Sequence, residues 1–197
     1  LRKIPCLFER DFSNKRAPVT LETVTPGCEW VLNGEGIATR KWDGTACMIR
    51  DGLLYKRYDA KNGKAPPPGF HPAQDPDPIT GHWPGWLAVD PYNPEPSDVW
   101  IALAWWNTDD RRDWTYEACG PRIGGNEHTI GSYMLIEHGD VALSGVPRTF
   151  DGLRDYLRTF PGEGIVFWRS EDIDCEKVKI RRHDFNFEWP ISQKEAA

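Results

Sequence analysis

At 197 residues, with 24 Lys and Arg against 30 Asp and Glu, the chain is long enough for one domain with a substantial core. A hydrophobic fraction of 39% and ten tryptophans exclude a disordered chain, which cannot bury enough apolar surface to fold. No apolar run reaches the roughly 18 residues of a membrane span. The N-terminal Leu1-Arg2-Lys3-Ile4-Pro5 has no signal-peptide core, and Cys6, Cys28, Cys47, Cys119 and Cys175 lack any C-x-x-C spacing, so neither a disulfide framework nor a zinc site is expected. These features point to a soluble, cytoplasmic protein of a reducing compartment.

Taken in order, the sequence predicts a strand at Glu29-Trp30-Val31-Leu32, a turn at Asn33-Gly34 and a strand over 36–41. A hairpin follows: Thr45–Arg50 and Leu53–Tyr58 flank Asp51-Gly52, which supplies the positive φ values of a type I′ turn. From Lys64 to Trp86 proline, glycine and aspartate dominate, so a long irregular excursion is expected, with Asp75 and Asp77 as turn formers. Val99–Trp106 is apolar on both sides and reads as a central buried strand, with another at Tyr133-Met134-Leu135-Ile136. The one clear helix is Phe150–Thr159, with Thr149 or Asp151 as its cap, Leu153 and Leu157 on one face and Pro161-Gly162 as its stop. Strands return at Gly164–Trp168 and Lys177–Ile180, joined by the acidic turn Ser170–Glu176. The fold class is therefore α+β, a single domain with a dominant antiparallel, two-sheet core.

The formal net charge of −6 does not favour a nucleic-acid partner, but charge is clustered. Lys56–Lys64 and Lys177–His183 each hold four Lys or Arg within nine or fewer residues. Each segment fits either a phosphate-binding cleft or a solvated strand edge.

Four motifs stand in order at strands or strand ends: Lys41-Trp42-Asp43-Gly44, Tyr116-Glu117-Ala118-Cys119-Gly120, Glu163-Gly164-Ile165-Val166-Phe167 and Lys177-Val178-Lys179. The series resembles that of the covalent nucleotidyltransferases, the superfamily of polynucleotide ligases and mRNA capping enzymes. It is closest to the small ATP-dependent RNA ligases that include the vertebrate 5′-3′ RNA ligase. Lys3-Ile4-Pro5, Gly81-His82-Trp83-Pro84-Gly85-Trp86, Gly124-Gly125-Asn126, Arg182-His183 and Trp189-Pro190 extend the resemblance over most of the chain. It implies an antiparallel two-sheet nucleotidyltransferase (ATP-grasp-like ligase adenylation) domain with flanking helices.

By the same resemblance Lys41 is the nucleophile and Asp43 and Gly44 belong to the nucleotide site. Arg57 is the arginine after the first motif, Glu117 holds the ribose, Glu163 orients the lysine or a metal, and Lys177 and Lys179 contact phosphates. Either Tyr133 or Ile136 occupies the stretch that supplies the adenine-stacking group.

The residue chemistry agrees. A lysine attacks phosphorus only as the free amine, and an ordinary pKa near 10.4 leaves it protonated at neutral pH. Burial and neighbouring cations such as Lys177 and Lys179 lower it, whereas Glu163 and Asp43 oppose them unless Mg²⁺ or Mn²⁺ neutralises the carboxylates. Alternating lysines on one strand face suit phosphoryl transfer, with Val178 turned to the core. Simpler readings stand beside these: Glu117 as a strand-end charge, Glu163 as a turn residue, and His82, His128 and His138 as core or surface side chains without metal-ligand spacing. Asn126-Glu127-His128 could touch substrate, but shows only polarity.

The resulting expectation is an ATP-dependent RNA ligase acting on RNA ends through a lysyl-AMP intermediate. The rivals are an mRNA guanylyltransferase or DNA ligase, both of which append a further domain such as an OB-fold where only 18 residues follow Lys179, and a non-catalytic RNA-binding relative.

Overall fold

The structure is a computed structural model and describes residues 3–14, 18–60, 64–78, 80–126 and 128–191. In chain order its elements are β1 (Phe8–Asp11), β2 (Val19–Val24), α1 (Glu29–Leu32), β3 (Ile37–Lys41), β4 (Thr45–Arg50), β5 (Leu53–Ala60) and β6 (His71–Pro72). There follow β7 (Trp83–Val89), α2 (Val99–Trp106), β8 (Trp114–Cys119), β9 (Met134–Glu137), α3 (Phe150–Thr159), β10 (Gly164–Trp168), β11 (Lys177–Arg181) and a 3₁₀ turn, Arg182–Phe185. The protein is thus mixed α/β, mostly antiparallel strands with few helices. Among the described residues no helix is long and apolar enough to cross a membrane.

The described residues fall into two compact units, one holding residue 3 and those of 43–138, the other those of 4–42 and 139–191. In the first, six antiparallel strands run in the order β6-β7-β5-β4-β8-β9. The Asp51-Gly52 turn joins β4 to β5 with φ values of 51° and 72°, as the dipeptide predicts. Strand alternation sends Cys47, Ile49, Leu54, Tyr116 and Ala118 to one face, where Ile101, Ala104 and Trp105 of α2 cover them.

That covering element corrects the sequence reading, because Val99–Trp106 is a helix and not a central strand. An all-apolar octapeptide carries no period to separate the two. Two alanines favour the helix, and Asp98 at its N-cap position is fixed by Lys56, a partly buried ion pair that ties the helix start to β5. The strand expected at 133–136 forms one residue later, at the sheet edge. The proline-rich excursion is also less irregular than predicted, since β6 and the start of β7 pair within it. Asp77 does form a turn, its carboxylate accepting from the Thr80 N–H at 2.9 Å.

The second unit holds a three-stranded sheet, β11-β10-β3, and the ribbon β1-β2. Leu7, Trp30, Val31, Ala38, Leu153, Leu157, Ile165, Phe167, Val178 and Ile180 form its core. Glu29–Leu32 is one helical turn where a strand was predicted. Consecutive Trp30 and Val31 are both buried, which a half-buried strand does not allow, and Asn33-Gly34 closes that helix instead of a hairpin, Gly34 having φ 87°.

Helix α3 has the predicted bounds, and the Thr149 hydroxyl caps it by accepting from the Gly152 N–H at 3.2 Å. Its C-terminal end is held from a distance: the buried Arg182 guanidinium donates to the carbonyls of Leu157 at 2.5 Å, Arg158 at 2.9 Å and Phe160 at 3.3 Å, and to Glu188 O at 2.9 Å.

Candidate nucleotide site

In the second unit the register across β3, β10 and β11 puts Lys41, Gly164 and Arg181 in one row, Thr39, Val166 and Lys179 in the next, and Ile37, Trp168 and Lys177 in the third. Ala38, Ile165, Phe167, Val178 and Ile180 have the opposite parity and face the core, so the cations share the other face. Val178 is turned inward, as the alternation predicts.

Glu163 immediately precedes β10, and its carboxylate forms an ion pair with the Lys41 ammonium, which also donates to Trp42 O at 3.3 Å. Gly164 is required beside it: a Cβ there would meet Ile180 O at 2.3 Å and Arg181 Cα at 2.8 Å, so the strands could not close. Burial lowers the pKa of Lys179, with Arg181 and Lys41 adding repulsion and Cys6 and Glu163 opposing. Residues 5–7 run alongside, Lys179 N donating to Pro5 O at 3.0 Å and Leu7 N to Lys179 O at 2.8 Å, which gives Pro5 a local structural role.

Lys177 stands apart. It lies two rows from Lys41, about 13 Å along the strands, with its ammonium 4.2 Å from the Trp168 ring centroid and donating to the carbonyls of Ile173 and, at 3.1 Å, Cys175. Thus Lys41, Glu163 and Lys179 come together with Arg181, while Lys177 is enclosed by the loop before its own strand. Arg181, which the sequence singled out only as part of the basic segment Lys177–His183, continues the Lys177, Lys179 alternation by one more step and is bidentate to Asp184 at 2.8 and 3.2 Å.

The other candidates belong to the first unit. The Asp43 N–H donates to His128 Nε2 at 2.8 Å, so an imidazole lone pair holds the turn after Lys41. A Cβ on Gly44 would meet Ala118 O at 2.2 Å and Cys119 Sγ at 3.1 Å. The Asp-Gly pair is therefore pressed against β8, and only glycine fits. Gly44→Ala is expected to lower the melting temperature by several degrees and, if Lys41 is the nucleophile the resemblance implies, to reduce its nucleotide labelling, because the turn must move to admit one methyl. Thermal melts together with nucleotide labelling check this; an unshifted melt with full labelling would show that the contact tolerates a side chain.

Glu117, only 8% exposed, sits opposite Ala46 and Ile136, and its carboxylate is 2.9 Å from His138 Nε2. The structure separates the two candidates for base stacking. Ile136 shares the Glu117 face, whereas Tyr133 stacks on Trp100 of α2 with centroids 5.2 Å apart. Arg57 is on the Glu117 side of the sheet, two strands away, over the Trp86 ring at 5.1 Å, and burial lowers its pKa.

Asn126 closes its own loop, bonding Ile130 N and O at 3.0 and 3.1 Å, while Glu127 lies outside the described residues, as do Lys61, Asn62 and Gly63 of the first basic segment. His82 pairs with Asp59 at 2.5 Å on the surface. His128 and His138 were set aside on spacing, and no local pattern could have found them, since their partners are 85 and 21 residues distant. Among the described residues no group of three or more His, Cys, Asp or Glu could hold a metal by itself.

Compared with protein-family models and with curated proteins, the chain matches none.

Proposed function

We propose that this protein is an ATP-dependent RNA ligase of the covalent nucleotidyltransferase type. The observation that carries the reading is the Lys41–Glu163 ion pair at the end of a sheet whose same face presents Lys179 and Arg181. A lysine placed beside a carboxylate and facing further cations suits attack on a phosphorus atom carrying several negative charges.

In the first step the Lys41 amine attacks the α-phosphorus of ATP; a P–N bond forms, the bond to the β-phosphate oxygen breaks, and pyrophosphate leaves. The proton the ammonium must lose has an acceptor already hydrogen-bonded to it, Glu163. In the second, a 5′-phosphate oxygen of RNA attacks the same phosphorus and the P–N bond breaks, returning a protonated lysine. In the third, an RNA 3′-hydroxyl attacks the activated 5′-phosphorus and AMP departs. Lys179, poised by burial at a lowered pKa, gains a counter-charge when a phosphate approaches.

Within the first unit Glu117 and Ile136 are neighbours on one sheet face, which suits a ribose and a base edge, and the resemblance gives Arg57 and Asp43 of that unit nucleotide-binding roles as well. Mg²⁺ or Mn²⁺ fits here in the way such ions usually bind, through one or two carboxylates and the substrate's phosphates; Glu163 would hold it, and it would neutralise phosphate charge.

Incubation with α-labelled ATP followed by a denaturing gel tests the reading. Covalent label on the protein is expected with ATP and at least tenfold less with GTP. Equal or stronger labelling by GTP would assign a guanylyltransferase, and no label with either would leave the RNA-binding alternative. A panel of 5′-phosphorylated RNA and DNA ends then separates RNA ligase from DNA ligase.

A further inference from the structure

A cavity of about 380 Å³ opens on the Glu117 side of the six-stranded sheet. Met48, Tyr55 and Trp86 line it from β4, β5 and β7, His71 and Pro72 from β6, and Arg50 from the end of β4. The register explains the convergence: Met48 pairs with Tyr55, Trp86 with His71, and all four side chains share a face. Tyr55 and His71 meet edge to face with centroids 6.0 Å apart.

Among the described residues no Asp or Glu lines the cavity. Among the described residues the Arg50 guanidinium has no carboxylate partner, and Arg57 lies over the Trp86 ring that contributes to the lining. The chemistry on offer is therefore aromatic surface with a cation at its rim. Ligand pockets run from about 300 to 1,000 Å³, so this volume suits one flat aromatic group with its appendages and is too small for a duplex.

We propose that this cavity is a second nucleotide-binding site, taking one unstacked nucleotide of single-stranded RNA, with the base against the aromatic side chains and a phosphate on Arg50. Aromatic side chains beside cations are how single strands are held without strong sequence preference. Its location gives the site a use. Met48 is two residues from Ala46, the cross-strand neighbour of Glu117, so the cavity is about 7 Å along β4 from that residue. This use rests on the ligase reading, in which a substrate strand must be fixed near the nucleotide pocket; the binding chemistry does not.

The test is fluorescence of 2-aminopurine within a short single-stranded RNA, titrated with the full chain and without ATP. Stacking is expected to quench the probe. His71→Ala should remove most of the quenching and weaken binding about 5- to 100-fold. Arg50→Ala should weaken binding about tenfold, with partial recovery in Arg50→Lys. Both side chains are exposed, and a thermal melt of each variant checks the fold. A parallel titration with 2-aminopurine riboside monophosphate separates a strand from a free nucleotide: tighter, variant-sensitive binding of the oligomer supports the strand, and sensitivity of the mononucleotide alone assigns the cavity to a free nucleotide and overturns the strand. Unaltered quenching and affinity in folded His71→Ala and Arg50→Ala proteins would overturn the site altogether. Because no ATP is present, failure here leaves covalent labelling of Lys41 untouched, and failure of labelling leaves this result standing.

Discussion

Lys41→Ala should abolish joining of RNA from ATP yet still seal RNA supplied with a pre-adenylated 5′ end. On the ligase reading the amine is the nucleophile that takes AMP from ATP and the leaving group that hands it on, and loss of a covalent nucleophile costs on the order of 10⁴- to 10⁶-fold. In the sealing step the attacking atom is the RNA 3′-hydroxyl and AMP is already on the 5′-phosphate, so the lysine contributes only its charge. A rate within about tenfold of the unaltered protein is expected there, one neutralising cation of several having gone. Gel assays of the two substrates measure both. Joining from ATP by the alanine variant would remove Lys41 from its role.

Glu163→Ala should fail with both substrates, by about 10² to 10³ in rate. The direction discriminates between two parts the carboxylate could play. As a mere counter-ion it favours the ammonium, and its removal would free the amine and raise labelling. As a proton acceptor and organiser of phosphate charge it lowers the barrier of every step, and its removal depresses labelling and sealing alike. Fold loss is not expected, because the backbone contact of this position, Arg182 N to Glu163 O at 2.9 Å, does not involve the side chain. Wild-type sealing of the pre-adenylated strand by this variant would confine Glu163 to adenylation.

What could be foreseen from sequence follows from the period of a strand. Lys41, Glu163 and Lys179 sit at places where a two-residue alternation and a turn fix direction, and Val178 could be assigned to the core on parity alone. Helix α3 was legible because its apolar positions, Thr149 cap and Pro161-Gly162 stop agree. The same parity argument grouped Lys177 with Lys179, but parity is blind to a loop that folds back, and the Ile173 and Cys175 carbonyls occupy the Lys177 ammonium. Val99–Trp106 failed for want of any period. The His128–Asp43 and His138–Glu117 contacts are long-range, and a lone histidine gives no sign of what it will reach.

The Arg182 guanidinium has a consequence for how the second unit comes apart. Helix ends ordinarily fray one residue at a time, because the last carbonyls turn to water at small cost. Here those of Leu157, Arg158 and Phe160 are donated to by a charged group that continues directly from β11, so loosening the end of α3 would strand a buried cation. The helix and the strand bearing Lys179 are thereby joined into one cooperative opening unit. Amide protons of the last turn of α3 should exchange at the rate of those in β11, and ligand that steadies the strand should slow exchange in a helix it never touches.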